Sequence, residues 1–400
     1  MEEKNNINLN EKSITSSHPR GWDNEMLKKM DVKVWSYLEE YEKEKEQING
    51  AIKEVFESGT LILGENVKTF EEKFASYCGS KYGVGVNSCT DALFLALRSL
   101  NIGSGDEVIT VANTAVPTVA AINATGAKTV FVDINPDTYL MDVTKIKNAI
   151  TPKTKAILPV HLYGQCVDMD EIQKIADYYG LRIIEDCAQA HGAVYKGRRA
   201  GSMSDVAAFS FYPTKVLGGY GDGGLVVTNN ESRYERLRGL RMYGMHGKYL
   251  ATESGYNSRL DELHAAILLT KLNNLNEYIS KRREIAKRYD NELRYTSLKL
   301  PKISKDNESV YYVYVVSHKK RDEILAKLKE KGIFCNVSYE WPIHTMEGYK
   351  HLGYKEGDLP NTEKACKEVF SLPMYPELTR EQQDKTINAL KEILREIDDI

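Results

Sequence analysis

Six cysteines are scattered over 400 residues with no Cys-x-x-C pair, so neither a zinc knuckle nor a dithiol redox centre has its usual spacing. Cys78, Cys89, Cys166, Cys187, Cys335 and Cys366 mostly fall in or beside apolar segments, and they read as reduced, buried and unconnected with a metal site. No apolar run approaches the roughly 18 residues that cross a bilayer. The opening Met1-Glu2-Glu3-Lys4-Asn5-Asn6 also lacks the charged-then-apolar order of a secretory signal, so a cytoplasmic chain without membrane attachment is expected. A basic stripe is missing as well: 57 acidic and 54 basic residues are interspersed. That removes the electrostatic footprint of a nucleic-acid binder and leaves small molecules and protein chains as partners.

What the chain does have is length and apolar content, 42% of its residues, sufficient for more than one domain. Residues 1–30 are rich in Asn, Ser, Lys and Glu without an apolar period, which predicts a flexible extension. Helical patterns follow over Val34–Ser58 and Asn66–Cys78. Between residues 83 and 230, short apolar runs alternate with helix or turn segments. The predicted strands are Gly83–Val86, Glu107–Val111, Thr129–Asp133, Ala156–Leu162, Arg182–Glu185, Val206–Phe211 and Leu225–Thr228. Strands joined by helix-length connections predict an α/β fold with a mostly parallel sheet covered on both faces, and ligands at the carboxyl ends of its strands. A long helix over Asp261–Arg288 then leads into a smaller α+β unit. Its predicted elements are strands Tyr311–Val316 and Phe334–Val337 and helices Arg321–Lys331, Thr362–Phe370 and Arg380–Ile397. The expected division is 1–30, 31–285 and 286–400.

Three strand ends carry chemistry. Phe209-Ser210-Phe211-Tyr212-Pro213-Thr214-Lys215 is an apolar stretch ending in one cation, followed by Gly218-Gly219-Tyr220-Gly221-Asp222-Gly223-Gly224. Such a lysine suits a covalent imine to a cofactor. The glycines match G-x-G-x-x-G, yet they run into the strand Leu225–Thr228 instead of a helix, and no Gly-Lys-Ser/Thr closes them, so dinucleotide and Walker loops are both rejected. A hairpin turn is the plain alternative. Ser88-Cys89-Thr90-Asp91 opens a strong helix former, either as an ordinary N-cap or as a seat for phosphate on the free amides of the first turn. Asp186 ends a strand three residues before Gln189; it reads as a helix cap or as the anion that keeps a pyridine nitrogen protonated. Glu185 should point to the other face, and His191 reads as a core histidine.

Together, Ser88–Asp91, Glu185-Asp186-Cys187-Ala188-Gln189-Ala190-His191-Gly192, Ser210–Lys215 and Tyr220–Gly224 resemble, in order, the motifs of the DegT/DnrJ/EryC1/StrS sugar aminotransferases, over about residues 31–380. The resemblance implies the three-layer fold of the fold type I pyridoxal 5'-phosphate enzymes with a smaller C-terminal domain. It also implies a homodimer with shared active sites and L-glutamate as amino donor to a nucleotide-sugar. By motif, Lys215 resembles the Schiff-base lysine, Asp186 the partner of the ring nitrogen and Gln189 a residue beside the ring. Cys89, Thr90 and Ser210 match phosphate positions, and Asn257 in Gly255–Glu262 matches an asparagine that acts on the other subunit's phosphate. Tyr339 and His344, in Tyr339-Glu340-Trp341-Pro342-Ile343-His344, match the loop near the sugar, with ordinary packing the alternative for its aromatics. Two positions depart from many members: Cys89 stands where Gly is common, and Ala115 where an aromatic stacks on the cofactor. The Asn113–Thr118 run, the Val34–Leu38 opening and the Trp341–His344 loop look like members acting at C3 of a dTDP-3-keto-6-deoxyhexose. Transfer to C4 of a 4-keto sugar is the nearest alternative, and a regulatory protein that binds the cofactor or the sugar is the non-enzyme one.

Overall fold

The computed structural model describes residues 30–247 and 249–398; all but the last residue of the expected N-terminal extension lies outside the described residues. Seven strands make the central sheet: β1 (Tyr82–Val86), β2 (Glu107–Val111), β3 (Lys128–Val132), β4 (Thr154–Ile157), β5 (Arg182–Asp186), β6 (Val206–Ser210) and β7 (Gly224–Thr228). Their order is β1-β7-β6-β5-β4-β2-β3. Strand β7 runs antiparallel to β1 and β6, and every other neighbouring pair is parallel. All residues of β2, β6 and β7 are buried, as a sheet with helices on both faces requires, and this explains why Val, Ile, Leu, Ala and Phe make up most of them.

The α-helices longer than four residues are α1 (Leu38–Ser58), α2 (Glu65–Cys78), α3 (Cys89–Ser99), α4 (Val116–Ala124), α5 (Met169–Tyr179), α6 (Glu231–Leu240), α7 (Glu262–Leu272), α8 (Leu275–Leu293), α9 (Arg321–Glu330), α10 (Pro360–Glu368) and α11 (Arg380–Ile397). Their ends follow local chemistry. The Ser88 hydroxyl accepts the Asp91 amide at 3.2 Å and starts α3, and Thr379 with Gln382 forms a reciprocal capping box at α11. Among the described residues no helix is long and apolar enough to cross a membrane.

The predicted helix over Asp261–Arg288 is two helices, broken at Asn273-Asn274. Asparagine side chains compete for the backbone's partners, and that of Asn274 donates to Glu44 at 2.8 Å. The predicted strand Phe334–Val337 survives only as a bridge between Asn336 and Ser371. The predicted helix Thr362–Phe370 stops at Glu368, because Val369–Leu372 (β9) pairs antiparallel with Tyr314–Ser317 (β8). Beside a small cluster that joins Ala112, Val119 and Phe131 to Ile343, Leu352 and Leu359, two cores result, a large one around the central sheet and a smaller one around β8, β9 and α11. Their boundary crosses α8, with Ile279 in the first and Ile285 in the second. Val32 also belongs to the smaller core, its amide donating to the Gly332 carbonyl at 3.1 Å, so the segment before α1 packs with the C-terminal unit.

Candidate active site

Cys89, Thr90, Asp186, Gln189, Ser210, Lys215 and Tyr339 all line one cavity of about 600 Å³. Six of these come from the carboxyl ends of strands. Asp186 is the last residue of β5 and Ser210 of β6, and α3 begins three residues after β1 ends. Strand β7 packs on the start of α3 so closely that a Cβ at Gly224 would collide with the Ser88 carbonyl. Glycine is required there for approach alone. The glycine run is the connection of an antiparallel pair, with Ser210 opposite Gly224. The hairpin reading holds, and Lys215, just before the glycines in the same connection, lines the cavity. The loop is pinned by Gly219 N–H to the Phe211 carbonyl and Phe211 N–H to the Gly223 carbonyl, each 2.8 Å.

Asp186 is 4% exposed. One carboxylate oxygen accepts the Thr118 hydroxyl at 2.8 Å and the other the Ala188 amide at 3.1 Å. Burial raises its pKa, and these two hydrogen bonds and the charge of Lys215 only partly offset that. A buried anion short of compensation fits a cationic ligand atom. Lys215 Nζ lies 4.8 Å from the centre of the Tyr312 ring, whose hydroxyl shares a 3.1 Å hydrogen bond with Thr214. Gln189 is fixed at both ends: its Oε1 accepts the Tyr163 amide at 2.8 Å and its Nε2 donates to the Tyr339 hydroxyl at 2.5 Å. Tyr163 holds that amide in place from a left-handed backbone, φ +60°, a strained state of the kind that collects at functional sites.

Cys89 is held as a thiol. Burial raises its pKa far above the usual value and Asp186 adds to this, against Lys215, so it is no nucleophile. Glu185 points to the opposite face, taking His161 Nε2, the Gly201 and Met203 amides and the Ser204 hydroxyl at 2.8–2.9 Å. His191 is buried among Phe74, Phe209 and Phe211, as expected of a core histidine. One predicted site residue, His344, is not brought to the cavity: it is fully buried with Nε2 3.0 Å from Glu363 Oε1. Asn257, expected to act on the other subunit's phosphate, is exposed and in a bridge with Met242. Thr118 and Tyr312 line the cavity without having been singled out. The Thr114-x-x-x-Thr118 spacing, which places the two hydroxyls 2.9 Å apart, was a usable signal for the first; Tyr312 arrives from the C-terminal unit and had none.

The parts fit pyridoxal phosphate. Lys215 can hold its aldehyde carbon, Asp186 can face the ring nitrogen, and Ser210 and the first turn of α3 can hold the phosphate. Ala115 lines the cavity where an aromatic was missed.

Residues 42–391 match the DegT/DnrJ/EryC1/StrS aminotransferase family. The chain is 53% identical over 371 residues to the dTDP-3-amino-3,4,6-trideoxy-alpha-D-glucose transaminase of Micromonospora megalomicea, covering 91% of this chain and 99% of that one. Its fold superposes on the crystal structure of DesV from S. venezuelae with a TM-score of 0.89 at 42% identity, over 91% of this chain and 98% of that one. A structure of NtdA from Bacillus subtilis with bound cofactor PMP follows at 0.83 and 33%, over 88% of this chain and 82% of that one. The chain belongs to the DegT/DnrJ/EryC1/StrS aminotransferase family and is a nucleotide-sugar transaminase that works with pyridoxal phosphate.

Proposed function

We propose that the enzyme moves the amino group of L-glutamate to C3 of a dTDP-linked 3-keto-6-deoxyhexose, as a homodimer whose subunits share their cavities. The observation that carries this reading is the convergence of Lys215, Asp186 and the start of α3 beneath a wall made by Tyr339, Glu340 and Trp341. Bound pyridoxal phosphate supplies an electron sink for the carbon that bears the amine. Lys215 Nζ, once free, takes the proton from that carbon as general base. With the cofactor bound, Asp186 would keep the positive charge at its ring nitrogen, and Gln189 holds the Tyr339 hydroxyl in the cavity wall.

Charge supports the shared site. Lys215 is the one cation among the described residues lining the cavity, against Asp186, Asp222 and Glu340. A cofactor phosphate and a nucleotide diphosphate need more positive charge and more donors, which a second copy can bring with the exposed Asn257 and the partly exposed Arg259. The names of relatives acting on dTDP-3-amino sugars favour C3. The test is incubation with glutamate and either a 3-keto or a 4-keto dTDP-sugar, locating the amine by NMR and measuring 2-oxoglutarate. Amination of the 3-keto sugar is expected; amine at C4, or no 2-oxoglutarate, overturns the reading.

A further inference from the structure

His344 sits at the far end of the segment that carries Tyr339, Glu340 and Trp341 along the cavity, and its ring is completely buried away from that cavity. Its Nε2 meets Glu363 Oε1 at 3.0 Å. The same carboxylate oxygen accepts the Gly357 amide at 2.8 Å and the Leu359 amide at 3.4 Å. Glu363 lies on α10, and the start of α10 is itself fastened to the sheet: Asp133, just past β3, accepts the Asn361 and Thr362 amides, both at 2.9 Å, and the Thr362 hydroxyl at 2.8 Å. The segment touches the sheet a second time where the Ile343 amide donates to the Ala112 carbonyl at 3.2 Å, next to β2.

We infer that His344 and Glu363 form a positioning pair that hangs the substrate-facing segment 338–342 from the edge of the central sheet, so that His344 acts on the keto-sugar only through the placement of Tyr339, Glu340 and Trp341. Three features carry this. The segment has no regular strand to set its path, Trp341 is 67% exposed and cannot anchor it by burial, and the buried polar contact is at the hinge where the chain turns back into the core. Glu363 is suited to hold a donor. Burial works to raise its pKa, but its hydrogen bonds from the Gly357 amide, His344 and the Leu359 amide outweigh that and leave it an anion below the usual carboxylate range. A hydrogen bond to a charged acceptor is stronger than a neutral one, and small displacements of positioning groups have large kinetic effects.

The inference rests on the proposed sugar transamination, and the test separates the two. Holoenzyme, His344→Ala, His344→Gln and Glu363→Gln are compared by backbone hydrogen exchange and by kinetics. In His344→Ala the amides of Ile343 and Thr345 should exchange about tenfold faster while those of β5 are unchanged, and KM for the 3-keto dTDP-sugar should rise about tenfold with kcat held within about twofold. Bleaching of the cofactor absorbance by glutamate should be as in wild type. His344→Gln, whose amide can donate to Glu363, should recover most of the loss. Glu363→Gln keeps an acceptor without the charge and should show the same changes in smaller measure, which keeps the inference open to test if His344→Ala does not fold. Unchanged exchange at Ile343 and Thr345, or an equal loss of glutamate bleaching, overturns the positioning role. So does a fall in kcat that His344→Gln does not repair. Wild type that neither bleaches with glutamate nor aminates a keto-sugar overturns the proposed function instead, and the exchange data still decide the pair.

Discussion

Asp186, Ser210 and the start of α3 occupy the ends of strands or the first turn after one, so sheet hydrogen bonds and the Gly224 contact set their spacing. On the opposite side Tyr339, Glu340 and Trp341 ride a segment without regular structure, attached through a strand bridge at Asn336, the Gln189–Tyr339 hydrogen bond, the buried Ile343 with its amide on the Ala112 carbonyl, and the buried His344. The floor of the cavity is thus a property of the sheet and the roof a property of a few side-chain contacts. Groups that handle protons need sub-ångström placement and gain it from rigid elements. A surface that selects among sugars can change by loop substitution without disturbing the sheet. Floor variants should therefore abolish cofactor chemistry, and roof variants should change substrate preference while leaving the cofactor's spectrum intact.

The sharpest break is Lys215→Ala, which removes both the covalent hold on the cofactor and the base. Turnover should fall below detection, with loss of the visible absorbance of the lysine-bound cofactor. Persistence of either would dissolve the distinction between floor and roof. Asp186→Asn comes next. The amide can still bond Thr118 and Ala188 but cannot hold a protonated ring nitrogen, and a charged hydrogen bond worth about 1.5–3 kcal/mol implies a loss of roughly 10- to 150-fold in turnover. The cofactor-free protein should move the other way. Because burial raises the pKa of Asp186, its contribution favours the fold at low pH and is lost as pH rises through the raised value. Cofactor-free Asp186→Asn should consequently keep its melting temperature from pH 4 to 8 better than wild type, as calorimetry would show.

The floor was also the legible part of the molecule. A strand buried on both faces must be apolar nearly throughout, which is why Glu107–Val111 and the run ending at Asp186 stood out, and why Lys215 and Ser88 could be placed at strand ends before any coordinates. The roof left little trace. The Phe334–Val337 run is short and apolar, yet β8 pairs with Val369–Leu372 and leaves it a single bridge. His344 resembled a sugar contact because it lies in the run Tyr339–His344 that is similar to the family's loop near the sugar; its partner is 19 residues away on another helix, a separation that no local period encodes. Thr118 bonds Asp186 across 68 residues, and Val32 joins the smaller core through Gly332, contacts that only the folded chain creates.

At the roof, Tyr339→Phe tests the weaker side of the comparison. It removes the hydroxyl that Gln189 Nε2 donates to, a single hydrogen bond of about 0.5–1.5 kcal/mol, so KM for the keto-sugar should rise roughly 2- to 12-fold. The absorbance of the bound cofactor should be unaltered. A shift of that absorbance would show that the tyrosine belongs functionally to the floor, coupled to the ring through Gln189.

The smallest effect on activity lies beneath the floor. His191 is enclosed by Phe74, Phe209 and Phe211, at ring-centre distances of 6.1, 5.4 and 5.8 Å, and Phe211 is in the segment that ends at Lys215. Burial lowers its pKa from 6.5 to about 3, with the charge of Lys215 acting in the same direction and a hydrogen bond donated to the Ser210 backbone carbonyl opposing. The folded chain therefore keeps this ring neutral over a range in which the unfolded chain protonates it. Its contribution to stability is whole above pH 6.5 and declines as pH falls toward 3; at pH 5 the loss is on the order of 2 kcal/mol. His191→Phe extends the aromatic cluster and cannot take up that proton. Its melting temperature should fall less than that of wild type between pH 7 and pH 5, with activity at pH 7 nearly unchanged because the ring is outside the cavity. Equal losses in the two proteins would mean that acid acts elsewhere, on the carboxylates that hold the roof, and that the floor is the more acid-resistant of the two regions.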